Sequence, residues 1–552
     1  MKKLLVILLL FTSSGINANP VFAPAWQWAF STEGIFNDMI SGVATDASGN
    51  IVICGSLIGP SITFGSTTLY NASFPGGTSD LFVVKFDPSG NVLWARSAGS
   101  TSEEDASSIA IDSTGNILIA GSFSSTSFTF GSTLLTCAGF YDVFVAKYDP
   151  AGNLLWAKSA GGNDLESAGG IAIDAGGNII VSGTFKSSAI SIGASTLINS
   201  GGDDLFIAKY DPSGNVIWAR SAGGNDDDRS YDICIDTNGN SFLTGYFMSA
   251  SIAFGSTTLT AAHGDRSIFV TKYDSLGNAL WAKSALGECN GEGRGIASDR
   301  NGNVLITGSY ESDSLYFGST NLYNPNPGTD DIFVLKLDGS GNALWSKSAG
   351  GQAHDDGIAV SVNLNGDVLV TGWYNSSSIT FGSATLTNAG YIDIFVVKYN
   401  AAGQVIWSKS AGGSFEDHGE CITNDLNGNI VVAGEFNSPS IPFGADTLTI
   451  SGSPGAWGLY VAKMDSAVIT GLAEENMPAF LLTIFPNPCN GQFKISSSEI
   501  IEEMKITNIL GQVICQSKPA SNNFSTQLSG KGIFFIEITT DKHTITKKLV
   551  CN

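Results

Sequence analysis

The chain is short of basic residues, of patterned cysteines and of long apolar runs. Its 552 residues include 27 Lys and Arg against 50 Asp and Glu, a net charge of −23, although charged residues make up only 14%. Nucleic-acid binding needs a basic footprint, so a nucleic-acid partner is not expected. The eight cysteines are Cys54, Cys137, Cys234, Cys289, Cys421, Cys489, Cys515 and Cys551. They share no repeat position and form no C-x-x-C pair, which argues against a disulfide framework or a zinc site. They read as small buried hydrophobes, with a bridge inside the C-terminal trio left open. No stretch is long enough for a transmembrane helix. There is no G-x-S-x-G elbow, H-E-x-x-H, Walker loop, dinucleotide fingerprint or D-x-D-x-D-G calcium loop.

What the chain does have is a signal and a repeat. Met1-Lys2-Lys3, the apolar run Leu4 to Phe11 and small residues up to Ala18 read as a signal peptide over 1–18. The stretch Asp211-Pro-Ser-Gly-Asn-Val-Ile-Trp218-Ala-Arg-Ser221 then recurs around Trp94, Trp156, Trp281, Trp345 and Trp407, with a partial copy at Trp28. Successive Trp residues are 66, 62, 62, 63, 64 and 62 apart. Such a period marks a repeat architecture.

Each repeat holds four strand signals. In the third they are Ile171-Ala-Ile-Asp174, Ile179 to Phe185, Asp204 to Tyr210 and Val216 to Ser221. The runs are dense in Ile, Val and Phe, as strands covered on both faces must be. Gly-Asn turns tolerate the positive φ of tight hairpins. Seven units of four antiparallel strands make a seven-bladed β-propeller, with an open solenoid as the alternative. The chain ends favour closure. It begins with an orphan outer strand, Trp26 to Phe30, and the repeats stop after a third strand, Leu459 to Met464. Residues 25–31 are therefore expected to complete the last blade and spare both edges. The repeated Phe-Gly-x-x-x-Leu segments, such as Phe64-Gly65 to Leu69, predict an extra short hairpin in each blade.

The pattern Gly-Ile-Ala-Ile-Asp, Gly-Asn-Ile-Ile-Val-Ser-Gly, Asp-Leu-Phe-Ile-Ala-Lys resembles the SBBP propeller repeat of bacterial surface proteins, over about residues 24–465. After a linker at 466–478, residues 479–552 resemble the type A C-terminal sorting domain of type IX secretion. The motif residues are Pro486, Asn487, Pro488, Gly491, Gly511, Lys547 and Lys548. That resemblance implies the type IX machinery as a partner, passage through the periplasm and outer membrane, and a secreted or surface-bound product. The alternation of strands there suits a small β-sandwich. From residue 479 on there are seven Lys and five acids, while residues 19–465 hold 18 basic and 43 acidic residues, so the acidity belongs to the propeller.

If the Ile-Ala-Ile-Asp strand is innermost, one face carries the long connections and the other the tight Gly-Asn turns. Function is expected on the long-loop face. An acid recurs there: Asp38, Glu104, Glu166, Asp228, Asp355 and Asp417, with Glu292 one position late in the fifth unit. Such acids either ring the channel mouth as a cation site, calcium being the candidate ion, or cap repeated turns through backbone N–H groups. The paired Asp and Lys of the third strand (Asp80 and Lys85, for example) and the periodic Trp residues read as scaffold. Symmetry breaks after the second-strand Gly, where Tyr246 and Trp373 replace small or acidic residues. An exposed aromatic there would stack on a sugar ring; a buried one would be packing. His263, His354 and His418 are also unrepeated. His354-Asp355-Asp356 and Glu416-Asp417-His418 carry metal-ligating atoms, though pairs this loose arise by chance. No cofactor is implied beyond that ion, and no catalytic residue is assigned. The expectation is a non-catalytic propeller that binds glycan or protein for adhesion. The alternatives are a polysaccharide-active enzyme using loop-face acids and a structural surface-layer component.

Overall fold

The computed structural model describes residues 21–32, 36–261, 265–285, 290–450, 456–466, 469–470, 482–485, 489–508, 512–540 and 544–551. The signal segment, His263, Cys289, the linker residues 471–478, Pro486, Asn487, Pro488 and Gly511 lie outside them. The chain divides into two compact units, one over 21–470 and one holding the C-terminal residues from 471.

The larger unit is a seven-bladed β-propeller. Seven four-stranded antiparallel sheets follow one another. In blade 1 the strands are Met39–Thr45, Ile51–Leu57, Asp80–Phe86 and Val92–Ala98. The first strands of neighbouring blades pack side by side around the ring, that of blade 7 (Asp417–Asn424) against that of blade 1. Second and third strands are buried along their whole length, Trp373 excepted, because blades cover both of their faces. This explains their unbroken apolar runs. Outer strands are only half buried. Each blade also carries the short hairpin on its second-to-third connection, as in Ser61–Phe64 with Thr67–Tyr70. Its inward residues, such as Ile62, Phe64 and Leu69, join the core beneath.

Closure occurs as expected. Trp26–Ser31 pairs with Gly458–Met464 as the outer strand of blade 7, with Trp28 opposite Lys463. The register matches the continuous blades, where Trp94 lies opposite Lys85.

Two repeated devices hold adjacent elements. The third-strand Lys does not pair with its own strand's Asp. It reaches the Asp that follows the first strand, as in Lys85–Asp46 at 3.0 Å, Lys209–Asp174 at 2.8 Å and Lys463–Asp425 at 3.4 Å. Six blades form this pair; in blade 6, where Asn363 stands at that position, Lys398 reaches Asp367 just before the second strand at 2.9 Å. The outer-strand Trp points the other way, into the next blade. Trp94 Nε1 donates to Pro150 O at 3.2 Å, and Trp28 donates to Pro88 O at 3.1 Å. Each ring lies on the turn glycine of that next blade. A Cβ on Gly152, at φ +81°, would stand 2.9 Å from Trp94. Trp407 differs: its Nε1 makes no hydrogen bond among the described residues. Blade 7 has no third-to-outer turn to receive it, because its outer strand comes from the other end of the unit.

The third-strand Asp has its own partner position. Asp80 accepts the Ala72 N–H at 2.8 Å, and its carboxyl fills the space above Gly99, where a Cβ would stand 1.9 Å away. The same exchange explains the two exceptions. Where Ser267 replaces the Asp, the sequence carries Leu286 at the Gly position, and where Gly458 replaces it, the sequence carries Glu33.

The C-terminal unit is built from a three-stranded and a four-stranded sheet. Phe493, Ile495, Met504, Ile506, Ile536, Ile538 and Leu549 form its core. Gly491, at φ +86°, accepts the Leu528 N–H. Lys547 is exposed, and Lys547 and Lys548 both lie on the last strand, Thr544–Cys551.

Deleting residues 21–31 removes one of four strands from blade 7 together with the Trp28 contact to blade 1. The apolar surface lost is expected to cost roughly 5 kcal/mol or more, lowering the melting temperature by about 5–10 °C. Calorimetry of the deletion variant checks this; melting at the parent's temperature would rule out the closure.

Candidate functional site

The repeated acids lie inside the blades. Asp38, Glu104, Glu166, Asp228, Asp355 and Asp417 are at most 2% exposed. Each accepts hydrogen bonds from the connection after the second strand or before the first. Asp355 takes the Asn375 and Ser376 N–H groups at 3.1 and 3.0 Å and the Ser376 hydroxyl at 2.7 Å. Asp38 takes Ile58 and Gly59, and Asp228 takes Met248 and Ser249. Backbone donors thus replace water. Glu292 does not belong with them. Gly291 stands opposite Tyr310 as Asp355 stands opposite Tyr374, and Glu292 turns to the other side of its strand.

The asymmetric chemistry sits on the first strands. Every one carries a β-bulge, and a bulge re-aims a side chain. In six blades the single bulged residue is Ser41, Ser107, Tyr231, Arg294, Ile358 or Glu420; in blade 3 the pair Gly169-Gly170 takes its place. Arg294 holds Glu292 through Nη2 at 3.1 Å and Asp356 of blade 6 through Nε at 3.1 Å, and lies over the Tyr231 ring of blade 4. Arg266 also pairs with Glu292 and lies over Tyr246.

These residues border a loop-face cavity of about 330 Å³ between blades 5 and 6. Glu292, Arg294, Asp356, Arg266, Glu311 and Trp373 line it, with Asp330 and His354 at its edge. His354 Nδ1 lies 2.8 Å from Asp330 Oδ2. Burial raises the Asp356 carboxyl, and the Arg294 guanidinium opposes that rise.

Next to the cavity, Trp373 stacks on His418 of blade 7, with centroids 5.7 Å apart. Donor atoms of His418, Glu420 and Glu435 lie within 4.8 Å of one another. Burial pulls the imidazole down to about 4 and pushes Glu420 up to about 7.

The expected candidates therefore separate. Trp373 borders the cavity, half-buried. Tyr246 is 3% exposed, packed between Tyr231 and Arg266, and is not the exposed stacking platform envisaged. His354 and His418 do not share a site with Asp355 and Asp417. The two aspartates turn into their blades, while the imidazoles find Asp330 and Glu420. Arg294, Arg266, Glu311, Glu420 and Glu435 were not singled out from the sequence as site residues. The signal was available: aligned on their acids, the first strands carry Arg and Glu at the fourth position in only two of seven copies.

Comparison with known proteins is consistent with two modules. Residues 483–552 match the model of the secretion system C-terminal sorting domain. An uncharacterized WD repeat-containing protein of Acanthamoeba polyphaga mimivirus is 24% identical over 378 residues, covering 56% of this chain and 27% of that protein. The regulatory protein FlaEY of Caulobacter vibrioides is 26% identical over 175 residues, covering 31% of this chain and 18% of its own length. The chain thus spans about a quarter or less of these curated relatives. Among solved structures, PorZ, a bacterial surface component of the type IX secretion system of Porphyromonas gingivalis, matches at 11% identity and a TM-score of 0.30, covering 93% of this chain and 75% of that one. Sqt1 from Chaetomium thermophilum matches at 8% identity and a TM-score of 0.38, covering 80% and 99%. The C-terminal unit is a secretion sorting domain, and the chain is an exported protein with a propeller body. No helix among the described residues is long and apolar enough to cross a membrane.

The buried acids make stability depend on pH. Desolvation raises Asp228, Asp355 and Asp393 to about 6 and Glu104 and Asp331 to about 7. Groups raised on folding bind more protons in the native state between their unfolded and folded pKa values, so stability falls as pH rises through that window. The melting temperature is expected to climb as pH is lowered from 8 to 5. It should turn down only at lower pH, where carboxylates held below their usual range, such as Asp46, Asp174 and Asp299, protonate. A melting temperature that is flat or falls from pH 8 to 5 contradicts this.

Proposed function

We propose that the protein is a propeller of the SBBP type, exported by the type IX machinery, that binds a glycan at the cell surface or outside the cell without turning it over. The observation that carries this reading is the cavity between blades 5 and 6. It breaks the seven-fold repeat, lies on the face with the long connections and joins one indole, Trp373, to a floor of carboxylates and guanidinium groups. An aromatic wall offers a sugar ring its apolar face, and fixed carboxylates and arginines satisfy hydroxyl groups. A volume of about 330 Å³ is at the lower end of small-ligand sites, which suits one or two sugar units at the end of a chain.

Absence of turnover is argued from the acids. Glu292 and Asp356 are each ion-paired with Arg294, which ties both carboxylates to the scaffold instead of leaving them to act as an acid–base pair. One observation favours the enzyme reading instead. The Asp330–His354 pair is an imidazole oriented by a carboxylate at the cavity edge, the arrangement of a general base. A protein ligand on the same face is the remaining alternative. The sorting domain supports the type IX machinery as a partner, and a signal peptide at 1–18 supports passage through the periplasm.

A glycan array probed with the full chain is expected to give binders whose affinity falls at least tenfold in Trp373→Ala, since base- or sugar-sized stacking contributes about 1–3 kcal/mol. The same glycans incubated with the parent should release no shorter products. Product release abolished by His354→Ala would establish the enzyme instead.

A further inference from the structure

His418 stands on the first strand of blade 7 with its ring fixed between two indoles. Trp373 stacks on it with planes 24° apart, and Trp457 meets it edge-on with centroids 5.2 Å apart. The two ring nitrogens of His418 have no hydrogen bond of ordinary length among the described residues. Nε2 is buried and makes no hydrogen bond among the described residues. Nδ1 is 3.6 Å from Glu420 Oε1, beyond hydrogen-bond length. An imidazole held between two rings with a buried nitrogen unmatched is unusual, since buried polar atoms nearly always find partners or an ion.

Two carboxylates converge on it. Glu420 is the bulged residue two positions along. Glu435 comes from the second strand, in the position directly opposite His418. Glu435 is 7% exposed. Its Oε1 accepts the Ile40 N–H of blade 1 at 2.6 Å, which fixes the side chain and leaves further lone pairs. One donor atom from each of the three residues falls within 4.8 Å of the others.

We propose that His418, Glu420 and Glu435 form a binding site for a divalent transition-metal ion of the zinc type, at the junction of blades 6, 7 and 1.

The donor set selects the ion. One imidazole nitrogen with two carboxylates suits zinc and its neighbours, whereas calcium and magnesium take oxygen donors. On a shared ion the donors would draw together by about an ångström, given metal–ligand bonds of about 2.0–2.2 Å. Three protein donors leave a fourth position for water or a bound ligand. Competing cations are already engaged: Arg294, the guanidinium acting on Glu420, is held by Glu292 and Asp356. Cys421 adds no donor, because its side chain packs into the core between blades 7 and 1. The site is distinct from the cavity between blades 5 and 6 and does not rest on the glycan reading, although Trp373 borders both.

The test uses the full chain equilibrated with Zn²⁺ and dialysed exhaustively. Elemental analysis is expected to find one Zn²⁺ per chain, with a melting temperature raised by the metal. Affinity measured against a chelating dye should fall at least tenfold in His418→Ala and in Glu420→Gln, and both variants should lose the metal-dependent rise in melting. Glu420→Gln is close to isosteric, so metal-free melting near the parent's shows that folding is intact. A triple variant with Cys489, Cys515 and Cys551 each changed to Ser should retain the ion. The proposal fails if the parent retains no Zn²⁺, if His418→Ala binds as tightly as the parent, or if the ion leaves with the cysteines.

Discussion

A buried lysine in every blade sets the terms for the ring. An ammonium group out of water is costly unless it is paired and its hydrogen bonds are filled. The third-strand Lys meets this by reaching the Asp that closes the first hairpin, at 2.8 to 3.6 Å around the ring. In three blades its Nζ also reaches a turn carbonyl of the next blade: Lys85 to Pro150, Lys272 to Gly339 and Lys463 to Pro88. In those blades one charge therefore ties the first hairpin to the third strand and the blade to its neighbour. The outer-strand Trp uses the same carbonyls, as Trp94 does with Pro150. Six of the seven junctions thus use a turn supplied by the following blade. A ring satisfies this; an open array leaves a last lysine and a last indole without that turn. The closing strand lets Trp28 and Lys463 both find Pro88 of blade 1. The cost surfaces at one place, Trp407, which faces the blade whose turn was given up.

Repetition of this kind consumes polar groups. The turn Asp and the first-strand acid are bonded within the scaffold, and the third-strand Asp is buried there with one oxygen unpaired among the described residues, as in Asp80, Asp142, Asp204, Asp331 and Asp393. Their recurrence is a packing requirement, so they contribute little that a ligand could use. What remains free to vary is the bulged position of the first strand and the residues flanking it. A bulge takes a residue out of the ladder, so its side chain is not dictated by cross-strand pairing. Ser, Gly and Ile at that position in some blades, against Tyr231, Arg294 and Glu420 in others, show how little the fold constrains it.

This difference explains what could be read from the sequence. The Trp period, the Gly-Asn turns and the orphan strand around Trp28 are local and repeated, so blade number and ring closure were legible. The role of the repeated acids could be framed as turn capping because capping depends on neighbouring backbone. The exception at Glu292 was not legible. A shift of one residue moves a strand side chain to the opposite face, and only the pairing of Gly291 with Tyr310 reveals that Glu292 has turned. Tyr246 and Trp373 occupy one repeat position but meet different neighbours. Arg266 and Tyr231 cover the first, and His418 stacks on the second. Tyr246 is covered from within its own blade, whereas Trp373 is met by a residue of the next blade, so exposure at that position depends on neighbours that the repeat does not fix.

The same reasoning separates two populations of buried carboxylate that look alike by composition. Asp228 and Asp355 are desolvated but met by backbone N–H groups and a serine hydroxyl, so each is complete inside its own blade. Asp356 is paired across blades, by Arg294 of blade 5, and Glu292 by Arg266 of blade 4 as well as by Arg294 of its own strand. Glu420 and Glu435 stand beside an imidazole whose buried Nε2 has no hydrogen-bond partner among the described residues. A carboxylate complete within its blade can be copied seven times without consequence. One completed between blades couples the ring's geometry to its own state, and anything that binds it acts on two blades at once. The unrepeated acids on blades 5 to 7 are therefore where a bound ligand would act directly on the packing of the ring.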